Sequence, residues 1–139
     1  MGLVHADIEL ANGEDLVLAR RKLMEADKIR RMTVRANVDS GAYMLCVNER
    51  VRTQLGLPKV EDQIAILADG SQHTLDVIGP IEVRFQNRRC MVDAMVLPGD
   101  NEVLLGANPL EDMDLVVLPR EQRLAVNPAH PILPAKPVK

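Results

Sequence analysis

Hydrophobic and polar residues alternate along much of this chain, the mark of strands that bury one face and wet the other. Val4, Ala6, Ile8 and Leu10 interleave with His5, Asp7 and Glu9. The same alternation returns at Val34, Ala36 and Val38, and again at Ile81, Val83 and Phe85 around Glu82 and Arg84. Turn signals punctuate the runs. Asn12-Gly13 predicts a hairpin with Leu16-Val17-Leu18-Ala19 as its returning strand. Residues 20 to 31 are charged and predict a loop or a short exposed helix.

Tyr43 to Val47 reads as a strand, after which Asn48 can cap a helical turn that places Val51 and Leu55 on one face. Gly56 and Pro58 end that turn. Ile64 to Leu67 and Thr74 to Ile78 flank Ala68-Asp69-Gly70-Ser71 and predict a hairpin, whose second arm stops at Gly79-Pro80. Gln86-Asn87-Arg88 turns the chain into Cys90 to Leu97, and Pro98-Gly99 is another turn. Val103 to Leu105, Leu115 to Leu118 and Leu124 to Val126 are short apolar strands. Between the first two, Asn108-Pro109 followed by Glu111 and Asp112 predicts a short helix. Many short strands with tight turns imply an all-β chain whose sheet closes into a small barrel carrying one or two short helices.

Composition narrows the picture. At 139 residues there is room for one core, and 47% apolar residues suffice to fill it. Tyr43 and Phe85 are the only aromatic residues, so aliphatic side chains must do the packing. They are also too few for a base-stacking platform, and a net charge of −3 offers no concentrated basic face for phosphates. No nucleic-acid partner is expected. Nor is a membrane, because no run of ~18 apolar residues exists. The first residues lack a basic region followed by an apolar run, and Cys46 and Cys90 lie far apart, so reduced thiols and a cytoplasmic location are expected. Residues 1–127 read as one domain. Residues 128–139 hold four of the nine prolines and read as a mobile tail.

The candidate chemistry sits at Asp39-Ser40-Gly41-Ala42, where a strand ends in an acid, a small hydroxyl and a glycine. That order describes a carboxylate held on a tight turn. Later comes Val103-Leu104-Leu105-Gly106, an apolar strand that stops at glycine. His5, His73 and His130 are isolated and show no metal-ligand spacing, so neither metal nor cofactor is expected. No Gly-x-Ser-x-Gly elbow exists, and Cys46 within an apolar strand reads as an inert core thiol.

The pairing of Asp39-Ser40-Gly41-Ala42 with Leu104-Leu105-Gly106 resembles the retropepsin-like aspartic peptidases, in particular their small bacterial single-domain branch. Leu45 to Val51, Ala68 to Ser71, Val96 to Gly99 and Pro109 to Val117 carry the likeness further, from about residue 3 to residue 128. The resemblance implies a catalytic Asp39, a turn supported by Ser40, Gly41 and Ala42, and a flap at Ala68, Asp69, Gly70 and Ser71. The glycine motif Leu104-Leu105-Gly106 holds the place of a second acidic motif without supplying an acid. One aspartate per chain then implies a homodimer acting on a protein or peptide substrate. A non-catalytic dimer that binds extended peptides is a second reading, since an acidic flap tip departs from the glycine-rich, apolar tips of retroviral members. A monomeric β-barrel interaction domain is a third.

Overall fold

The computed structural model describes residues 3–138. Nine strands and three short α-helices follow one another along the chain: β1 (His5–Asn12), α1 (Gly13–Arg20), β2 (Arg31–Val38), β3 (Leu45–Val47), α2 (Glu49–Leu55), β4 (Lys59–Ile66), β5 (Gln72–Phe85), β6 (Arg88–Val96), β7 (Val103–Leu105), α3 (Ala107–Asp112), β8 (Leu115–Leu118) and β9 (Arg123–Val126). The large sheet runs β1-β2-β7-β3-β6-β5, and β1 pairs with β5 to close it into a six-stranded barrel. β4 hangs outside the ring, hydrogen-bonded to β5 alone, and β8 with β9 forms a separate hairpin. Closure leaves the ring without an unpaired edge. The expected all-β barrel with few short helices is what the chain forms.

The aliphatic expectation holds in the core. Ile8, Leu10, Leu45, Val47, Leu55, Ile78, Ile81 and Leu105 are all at most 1% exposed. The two aromatic residues stay out of the centre: Phe85 packs at its border, and Tyr43 is 73% exposed. Among the described residues no helix is long and apolar enough to cross a membrane.

Two local expectations are corrected. Asn12-Gly13 does not turn a hairpin, and Leu16 to Ala19 belong to helix α1 instead of a returning strand. Asn12 Oδ1 accepts from the Asp15 amide at 3.0 Å, which makes Asn12 the helix cap, and Glu14 and Asp15 add negative charge to the first turn. Asp15 is itself buried and takes three bonds from Arg30, through its backbone amide, Nε and Nη2. The Arg30 guanidinium holds the Asp15 carboxyl below its ordinary range. The next strand in sequence to pair antiparallel with β1 is β2, beyond the helix, in the register Ile8↔Val34 and Ala6↔Ala36.

The second correction concerns Gly79-Pro80, which does not end the hairpin's second arm. Strand β5 runs on through both residues. Ile78 pairs with Ala94 and Ile81 with Val92, so two residues on β5 face one on β6. A bulge absorbs the proline, which has no amide to give to the ladder.

Among the described residues after β9 there is neither helix nor strand, yet polar bonds tie this segment to the barrel. Asp114 accepts from Asn127 Nδ2 (3.0 Å), His130 Nδ1 (2.8 Å) and the Ala135 amide (3.0 Å). These donors, the Ala135 amide first, draw the Asp114 carboxyl down to about 2. Lys136 Nζ reaches Asp112 at 2.6 Å, and Asn87 Nδ2 donates to the carbonyls of Pro131 and Ile132.

Asn12 links two distant parts of the barrel, because its Nδ2 also donates to the Leu55 carbonyl at 2.8 Å in a buried setting. Asn12→Ala removes a cap and leaves that carbonyl unsatisfied, so a loss of about 1–3 kcal/mol in urea denaturation is expected. Unchanged stability would show that neither bond matters to the fold.

Candidate active site

Strand β2 delivers the chain to Asp39, and the turn that follows is built from its own backbone. Asp39 Oδ1 accepts from the Gly41 amide at 2.9 Å, and the Asp39 carbonyl accepts from the Ala42 amide at 3.1 Å. The carboxylate therefore shapes the loop that carries it, the usual behaviour of an acid at the head of a tight turn. Asp39 is half-buried, whereas Ser40 and Gly41 are exposed.

A second strand end props the turn from behind. β7 lies parallel to β2, with Val38 opposite Leu105, and antiparallel to β3, with Cys46 opposite Leu104. The Asp39 amide donates to the Leu105 carbonyl at 3.0 Å. Two residues on, the amides of Ala107 and Asn108 donate to the carbonyls of Ala42 and Tyr43, both at 2.8 Å. Gly106 sits between these bonds. A Cβ placed on it would lie 2.3 Å from the Met44 carbonyl oxygen and 2.8 Å from that of Ala42. Only a residue without a side chain lets the two backbones meet so closely.

Leu104, Leu105 and Gly106 thus have separate jobs. Leu105 is core, Leu104 faces a groove, and Gly106 makes the close approach. No carboxylate comes with them, since Ala107 and Asn108 follow.

The groove has a volume of about 400 Å³ and lies between the Asp39 turn and the first arm of the β4–β5 hairpin. Gly41, Ala42, Tyr43 and Met44 form one wall, residues 63 to 67 the other, and Cys46, Met95, Leu97 and Leu104 the floor. Gln63 is the one polar side chain among those beyond the turn. Two roomier depressions, by the loop after α1 and between β2 and α2, do not touch the turn. Gly41 and Ala42 are the turn residues that line the groove, while Asp39 and Ser40 do not themselves line it.

The expected flap residues sit at the hairpin tip. The Leu67 amide donates to Ser71, the Gly70 amide to Leu67, and the Ser71 amide to Asp69 Oδ1, each at 2.9 Å. Gly70 takes φ +84°, a conformation that side-chain-bearing residues resist. Hydrogen bonds from Ser71 lower the Asp69 carboxyl below its ordinary range. Ala68, Asp69, Gly70 and Ser71 do not themselves line the groove; the arm leading to them does. Ile64 and Ile66, which the sequence reading placed only in a strand, are 61% and 70% exposed beside it.

Cys46 is not a nucleophile here. Burial, with the charge of Asp39 adding to it, pushes its thiol up to about 11, so it stays protonated and unreactive.

Replacing Gly106 tests the brace. Gly106→Val would force a branched side chain into backbone carbonyls that cannot rotate away, and a loss of at least about 2 kcal/mol in thermal or urea unfolding is expected. Native stability in that variant would show that the close approach is dispensable.

Comparison with known proteins adds one finding. A family model described as gag-polyprotein putative aspartyl protease matches residues 28–112, more than half of the chain, and takes in the Asp39 turn, the β4–β5 hairpin and Gly106. No curated protein matches.

Proposed function

The chain belongs to the family described as gag-polyprotein putative aspartyl protease, and from that premise we propose that it is an endopeptidase assembled from two copies of itself. The observation that carries this reading is the asymmetry of the two braced strand ends. One ends in Asp39, on a turn whose Gly41 and Ala42 line an apolar groove, and the other ends in Gly106, Ala107 and Asn108. Amide hydrolysis by carboxylates requires one group to take a proton from water and another to give one to the carbonyl oxygen. A single acid cannot do both at once. A two-fold axis beside the turn would supply the missing one as the partner subunit's Asp39.

In that assembly the two carboxylates share one proton, because repulsion at close range opposes a second charge. The ionised member takes a proton from water, whose oxygen bonds to the scissile carbon. The protonated member gives its proton to the carbonyl oxygen. Collapse of the resulting diol breaks the C–N bond, and the amine leaves with a proton returned by the acids. Ser40, exposed at the turn, is the residue we assign to hydrogen bonding between subunits. Gly41 holds the carboxylate through its amide, and Ala42 leaves room for a peptide to pass.

The β4–β5 hairpin is the lid in this reading. An extended peptide would lie along its first arm, with apolar side chains entering the groove beneath. Ala68, Asp69, Gly70 and Ser71 would then close over the substrate backbone instead of gripping its side chains.

The test is cleavage of a diverse peptide library by the native chain and by Asp39→Asn, at acidic and neutral pH. The variant is expected to lose at least about 10³-fold in rate. Native specific activity should also rise with protein concentration, as mass action requires of a site made by association. Equal cleavage by both proteins would remove Asp39 from the chemistry. Retention of peptides without cleavage by either would favour a binding module.

A further inference from the structure

Arg88 opens β6 and is 1% exposed, the largest of the fully buried side chains. Its Nη2 donates to the His130 carbonyl, but Nε and Nη1 have no acceptor among the described residues. Burying a guanidinium without a carboxylate is unfavourable, and idle donors add to the imbalance. The segment lying against it is no compensating core. Ile132 and Leu133 are 76% and 74% exposed, so the segment gains little from apolar burial.

What holds it is polar and converges on one side chain. Asp114 binds the segment at Asn127, His130 and Ala135, while Asn87 adds two bonds, to Pro131 and Ile132, and Lys136 adds one, to Asp112. A region with exposed hydrogen bonds and few buried contacts opens at far lower free energy than the core.

We propose that residues 127–136 form a releasable strap, pinned by Asp114, whose opening frees the Arg88 guanidinium to bind a carboxylate on a partner protein. The planar fork of arginine matches a carboxylate through two parallel bonds, which the lone carbonyl of His130 cannot supply. The strap is thus a weak internal stand-in for the partner. This inference is independent of the peptidase reading, since it concerns neither Asp39 nor the groove.

The experiment uses the full chain, native and Asp114→Asn, a substitution suited to the positive φ of that position. Phenylglyoxal modification of Arg88 is followed by mass spectrometry, and amide exchange is followed at Ala135 and at core residues Leu10 and Val83. In the variant, Arg88 modification and Ala135 exchange should each accelerate by about tenfold or more while the core amides stay protected. A hexaglutamate peptide should slow the modification again. Equal Arg88 modification in both proteins would overturn the proposal. So would core exchange rising in step with the strap, or failure of hexaglutamate to protect.

Discussion

The close passage of Gly106 beneath the backbone of residues 42 to 44 is the constraint on which the functional end of this barrel depends. Four backbone hydrogen bonds join the ends of β2 and β7 with the turn between β2 and β3, from Asp39 N to Leu105 O through Asn108 N to Tyr43 O. None of these involves a side chain, and the Asp39 carboxylate adds one more bond of its own by accepting from the Gly41 amide. The carboxylate is thereby held on a braced turn whose Gly41 and Ala42 line the groove. Preorganisation of that kind lets an acid act without first being ordered by its substrate.

The barrel divides rigid from adaptable parts along the same strand. From Ile81 onward, β5 is clamped between β1 and β6. Before Ile78 it leaves β1 and carries β4 outward as a hairpin, with the bulge at Gly79-Pro80 marking the change. The half inside the ring is buried, and the half outside is exposed towards its tip. A lid needs that combination of an anchored root and a free end. The tip end of its first arm, Gln63 to Leu67, and the Tyr43 side of the turn face one groove, so peptide binding and catalysis would share a wall.

Much of this was legible in the residues. Alternation gave β1, β2 and the inner half of β5, and Asn48 caps α2 by accepting from the Val51 amide as its position suggests. Asn12-Gly13 was misread because one residue pair serves both as hairpin turn and as helix cap. What decides is Leu55, 43 residues away, whose carbonyl Asn12 also binds. The bulge was hidden for a similar reason, since a glycine-proline pair signals an end unless a neighbouring strand absorbs it. Asp39 and Gly106 were both visible as motifs, but their contact was not, because sequence does not state which backbones touch. The groove walls at Gln63 to Leu67 and Met95 come from how the β4–β5 hairpin lies against the turn, and no local pattern marks them.

The central claim is that one acid per chain becomes a working pair only between chains. The most direct measurement is subunit mixing at protein concentrations where association is complete. Native chain is held constant while Asp39→Asn chain is added to about tenfold excess, and peptidase activity is followed. If both acids are needed, native chains are drawn into inactive mixed pairs and activity falls to about one tenth. Activity that stays constant as the inactive chain is added would mean that each copy carries a complete site, contradicting the account.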